Sequence, residues 1–71
     1  MHTSDQHKLL KSGFTIIRAG ENQQGFGYNY FIKAKQGLRR EWYQLESNFP
    51  SKAARDRRIK ELLKNDKTVE D

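Results

Sequence analysis

The chain has 71 residues, a formal net charge of +5 and no cysteine, which excludes a disulfide-stapled scaffold, a thiolate metal site and a second domain. No apolar run is long enough for a signal peptide or a membrane span, so no membrane partner is expected and a cytoplasmic location follows by default. The positive charge points to an acidic partner, most often nucleic acid.

Residues 1–12 are polar apart from the pair Leu9 and Leu10 and read as a flexible N-terminal segment. The folded domain is expected over 13–65, and a flexible tail over 66–71. "GFTIIRAG" combines β-branched and aromatic residues between glycines, predicting a first strand over about 14–19. "GENQQGFG" is polar with three glycines and predicts the flexible loop of a long hairpin. "YNYFIKAK" predicts a second strand over 28–35, and Gly37 in "KQGLRR" is expected to turn the chain at positive φ. "EWYQLE" alternates again and predicts a third strand over about 40–46. Pro50 then ends the extended chain, and Ser51 is a suitable N-cap for a helix over about 52–65.

These elements make an α+β fold: a three-stranded antiparallel meander with one C-terminal helix packed on one face. On the helix, Ile59, Leu62 and Leu63 share a face at 100° per residue. Lys52 and Arg55 flank that face, where their stems can cover the core edge while their charges reach solvent. Arg57, Lys60 and Lys64 form a separate stripe, with Glu61 placed to pair with Arg57. The helix-covered side of the sheet is expected to hold Tyr28, Tyr30, Ile32, Tyr43 and Leu45. Phe31, Lys33, Lys35, Arg40 and Trp42 then fall on the opposite, open side. In a simple meander the first and third strands are both free edges.

No catalytic constellation is visible. His2 and His7 are the only histidines, their spacing fits no helical ligand pair, and no carboxylate dyad can be assembled on one face. The glycines of "GENQQGFG" lack a phosphate-loop spacing. Catalytic residues, metal ligands and cofactors are therefore not expected, and the chain reads as a non-enzyme. The notable set is basic and aromatic: Phe31, Lys33, Lys35, Arg39, Arg40 and Trp42, gathered around one hairpin. Cations there can neutralise phosphates, and aromatics on an open sheet can stack bases. A β-ribbon can also enter the major groove of a duplex.

At "EWYQLESNFPSKAARDRRIKELL" the chain resembles the N-terminal DNA-binding domain of tyrosine recombinases from phages and conjugative transposons. That domain has three antiparallel strands and one C-terminal helix, as does the related plant ethylene-response DNA-binding domain. The resemblance spans roughly 13–65 and rests on Phe49, Ser51, Lys52 and Ala54, while Pro50 departs from the residue more usual at that turn. It implies duplex DNA contacts from the sheet through Lys33, Lys35, Arg39, Arg40 and Trp42, and suits a phage or mobile-element accessory protein. The expected function is thus a small nucleic-acid-binding protein, DNA favoured. The alternative is a protein-interaction or inhibitor module docking on an acidic protein surface, since exposed Trp, Tyr and Arg also anchor interfaces. Composition does not determine an oligomeric state.

Overall fold

A computed structural model describes residues 3–37 and 41–71. The elements run α1 (Thr3–Lys11), β1 (Thr15–Gln24), β2 (Gly27–Gln36), β3 (Tyr43–Phe49), α2 (Lys52–Leu62) and β4 (Thr68–Glu70). The strands form one four-stranded sheet in the order β3-β2-β1-β4. The β1–β2 and β2–β3 pairs are antiparallel, as the meander required, and β4 joins β1 in parallel. The fold is therefore α+β with a mixed sheet and two helices, a richer architecture than three antiparallel strands and one helix.

Helix α2 starts as its sequence dictates. Ser51 has extended backbone angles, and its Oγ accepts a hydrogen bond from the Ala54 N–H at 3.2 Å, satisfying a donor that the first turn would leave unpaired. The helix then carries the chain from the β3 edge to the opposite edge of the sheet, where β4 adds to β1. On the way it buries Ile59 against Ile17, Ile32 and Ala34, with Tyr43, Phe49, Leu62 and Leu63 packed around that cluster. Ile17 pairs with Ala34 in register, and Ile32 is offset by two residues along β2, so pleat alternation puts all three on one face.

Ile16 is also fully buried, yet its side chain points to the other face. Helix α1 covers that side: Gln6 and Leu10 are buried, and the Lys35 Nζ donates to Gln6 Oε1 at 3.2 Å. The segment expected to be irregular is thus helical from Thr3. Its end is set by Gly13, whose φ of +87° is disfavoured for other residues and lets the Phe14 N–H reach the Leu9 carbonyl at 3.0 Å. The tail expected to be loose supplies β4, with the Asp71 N–H donating to the Ile17 carbonyl at 2.9 Å. β4 covers the start of β1, so the first strand is not the free edge that a three-stranded meander would leave.

The stretch read as a hairpin loop is mostly strand. Pairing of β1 with β2 continues out to Gln24 and Gly27, leaving Gly25 and Phe26 as the connection. Gly25 has φ +58° while Phe26 does not have positive φ, the arrangement of a type II′ turn that matches the twist of the flanking strands. Every residue from 21 to 28 is exposed, so the hairpin projects beyond both helices as an arm. Gly37 has the expected positive φ, at +70°.

Candidate nucleic-acid interface

The face of the sheet bearing Ile16 also bears Arg18, Gly20, Asn22 and Gln24 on β1, opposite Lys33, Phe31, Asn29 and Gly27 on β2. Lys35 lies opposite Ile16. Tyr43 pairs with Ala34, so Trp42, one residue earlier, falls beside Lys35 on this same face. Gln44 pairs with Lys33 and joins it there.

Trp42 organises the cations. The Arg18 guanidinium lies 4.6 Å and the Lys35 ammonium 4.8 Å from its ring centroid, within the range of cation–π attraction. Lys33 sits 5.5 Å from the Phe31 ring. Arg18 is additionally ion-paired with Asp71, while Lys33 and Lys35 make no ion pair with a carboxylate among the described residues. Burial pushes the Asp71 carboxyl up, but hydrogen bonds, foremost from the Arg18 guanidinium and from the Gln6 amide, which donates to Asp71 Oδ1 at 2.9 Å, hold the group below the ordinary carboxylate value. A groove of about 310 Å³ opens beside this set, lined by Asn22, Phe31, Lys33, Trp42, Tyr43 and Gln44. A larger cleft of about 560 Å³, between α2 and the β1–β4 edge, carries Asp56, Glu70 and Asp71 against Arg18 and Lys60, so its carboxylates disfavour a polyanion there.

The six residues singled out from sequence have different fates. Lys33, Lys35 and Trp42 share the expected face. Phe31 shares it too, but is only 5% exposed. Its ring folds over Gly20, whose missing side chain leaves the space, as shown by the 2.3 Å separation that a Cβ there would have from Phe31 Cε2. Phe31 is thus structural flooring for the groove rather than an exposed stacking surface. Arg39 and Arg40 lie outside the described residues. Arg18, which sequence reasoning passed over, belongs to the cationic set because its register partner is Lys33.

On the opposite face, the helix covers Ile32 fully, Tyr30 in part and Tyr28 hardly at all, the last being 57% exposed. Tyr28 and Tyr30 stack at 6.1 Å between ring centroids. Leu45 does not join Tyr43 in the core. The pairing shifts between Ile32 and Lys33, and the extra residue turns Glu46 to the helix side, where it binds Arg58 at 2.9 Å, while Leu45 is exposed. Arg55, expected at the rim, is 4% exposed. Its Nη1 donates to the Gly20 carbonyl at 3.0 Å, and its guanidinium lies 5.5 Å from the Tyr30 ring. Glu61 pairs with Arg58, not with Arg57. Glu46 and Glu61 accept hydrogen bonds from the Arg58 guanidinium and hold its pKa above the ordinary value.

Among the described residues, no group of three or more His, Asp or Glu is placed to hold a metal ion, and no helix is long and apolar enough to cross a membrane. Comparison with protein-family models, with curated proteins and with solved structures returned no match for this chain.

Proposed function

We propose that this chain is a small, non-catalytic nucleic-acid-binding protein, with DNA the favoured partner. The observation that carries the reading is the pair Lys33 and Lys35, neither ion-paired with a carboxylate among the described residues, on one sheet face with Arg18 and Trp42. Cations held against aromatic rings lose less side-chain freedom on meeting phosphates than free-swinging ones. Arg39 and Arg40 follow β2 in the sequence and add two further positive charges to the chain. The resemblance to the recombinase DNA-binding domain points the same way and suits a phage or mobile-element accessory protein, and a cytoplasmic setting is part of the same proposal.

Contact by charge on a sheet surface supplies the part of the affinity that does not depend on sequence and falls steeply with salt. The test is fluorescence anisotropy of labelled random duplexes as a function of salt, for the parent and for Lys33→Ala/Lys35→Ala. The double variant should bind more weakly, with the slope of log K against log salt reduced by about 1.8, close to 0.9 for each phosphate no longer neutralised. An unchanged slope would remove these two lysines from the interface. Absence of duplex binding by the parent, beside stoichiometric capture of an acidic protein, would replace the nucleic-acid reading with the protein-docking one.

A further inference from the structure

The projecting arm has a chemistry of its own. From Ala19 to Ile32 there is no lysine or arginine, so the arm offers phosphates no cation, although the root of the same face does, at Arg18 and Lys33. Its one charged residue, Glu21, pairs with Tyr30 and points to the other face. On the cationic face the outer arm presents Asn22 and Gln24, both exposed and without a side-chain hydrogen-bond partner among the described residues, and the turn presents Phe26, fully exposed. Asn29 differs, since its Oδ1 accepts from the Asn48 N–H at 3.2 Å and braces the irregular end of β3.

Resting on the nucleic-acid reading above, we propose that this arm is a base-reading finger that selects A·T pairs in the major groove of duplex DNA. Asn22 and Gln24 read adenine, and Phe26 covers the thymine methyl. The amide side chain matches the N6 donor and N7 acceptor of adenine as a bidentate pair, and an apolar ring suits the thymine methyl. Guanine is best read by Arg or Lys, and the cytosine N4 amino group donates to a carboxylate; this face of the arm has neither. A two-stranded ribbon fits a groove about 12 Å wide. At about 3.3 Å per residue, Gln24 lies roughly 20 Å along the strand from Arg18. Cations at the root can therefore hold the backbone while amides at the tip reach base edges, the usual division between positioning and specifying contacts.

The experiment compares three labelled duplexes of equal length at one salt concentration: A·T-rich, G·C-rich, and A·T-rich with uracil in place of thymine. Uracil removes the methyl group and leaves the hydrogen-bonding edges intact. The parent should prefer A·T over G·C by about tenfold and lose about threefold on the uracil duplex. Asn22→Ala/Gln24→Ala should abolish the A·T preference while keeping the G·C affinity, and Phe26→Ala should bind the thymine and uracil duplexes equally. Equal, salt-sensitive binding of the parent to all three duplexes would overturn the finger while leaving the nucleic-acid reading in place. Variants that weaken all three duplexes alike would also overturn it, by making the arm a positioning contact. Absence of binding to any duplex would overturn both.

Discussion

Replacing Gly20 with alanine should destabilise the protein, against the ordinary sign of that substitution. Glycine inside a strand costs about 0.5–1 kcal/mol relative to alanine, and Gly20 does not have positive φ, so the backbone itself favours the change. Packing opposes it. An alanine Cβ would sit 2.3 Å from Phe31 Cε2 and 2.7 Å from Cζ, so the ring must swing off the sheet. Phe31 is 5% exposed, and returning a buried phenylalanine side chain to water costs about 1.5–3 kcal/mol. The net loss is about 1–2 kcal/mol, and each kcal/mol corresponds to about 4–8 °C in Tm for a domain of this size. Urea and thermal unfolding followed by circular dichroism would measure it. A double-mutant cycle isolates the cause: in a Phe31→Ala background, Gly20→Ala should become neutral or stabilising. A Gly20→Ala protein at least as stable as its parent would refute the cross-strand packing of Phe31 on Gly20.

Ile59→Ala should cost about 2–5 kcal/mol, more than Leu62→Ala, because Ile59 is buried while Leu62 only borders the cluster; denaturant midpoints for the two variants check the order. Arg55→Ala should cost about 1.5–3 kcal/mol, the worth of a hydrogen bond from a charged group, since it removes the buried guanidinium's bond to the Gly20 carbonyl; Arg55→Lys should restore only part of this, lacking the guanidinium fork. The Asp71 carboxyl is held below its ordinary value by Arg18 and Gln6 against the opposing effect of burial. Its contribution to stability is therefore fully present above the unfolded carboxylate value, about pH 3.9, and is lost as pH falls through the lower folded value. Asp71→Asn should flatten the acid limb of a stability–pH curve below about pH 4, and a limb of unchanged steepness would contradict that assignment.

Much of the central architecture was legible. The β-branched content of β1, alternation in β2 and the 100° spacing of Ile59, Leu62 and Leu63 point to a sheet with a helix across it, and Ser51 marks the start of that helix. What was missed has physical reasons. Helix α1 has nine residues and few apolar ones, too short to stand out by periodicity, although Gly13 after "LLKS" is a helix-ending signal. Strand β4 is three residues long, formed by pairing rather than by propensity. The outer half of β1 lacks β-branched residues and is extended by its register with β2 and the turn at Gly25. Bulges in β3 reversed Leu45 and Glu46, and such a shift cannot be read from alternation alone. In the candidate site, pleat parity brought Lys33, Lys35 and Trp42 together correctly. Arg18 could be found only once the register of β1 was known. The burial of Phe31 had a signal in Gly20, since an isolated glycine within a strand often marks close approach by another group.

The cationic face surrounds Trp42, the only tryptophan in the chain, so its own emission reports on that face without an added label. Trp42 is half-buried and already touched by Arg18 and Lys35, so phosphates that draw those cations away should alter its fluorescence. Titration with random duplex DNA should give a saturable change whose affinity falls about 10- to 100-fold between 50 and 200 mM salt, as about three phosphate contacts require. Emission that stays constant at low salt, with no accompanying rise in DNA anisotropy, would contradict a nucleic-acid surface on this face.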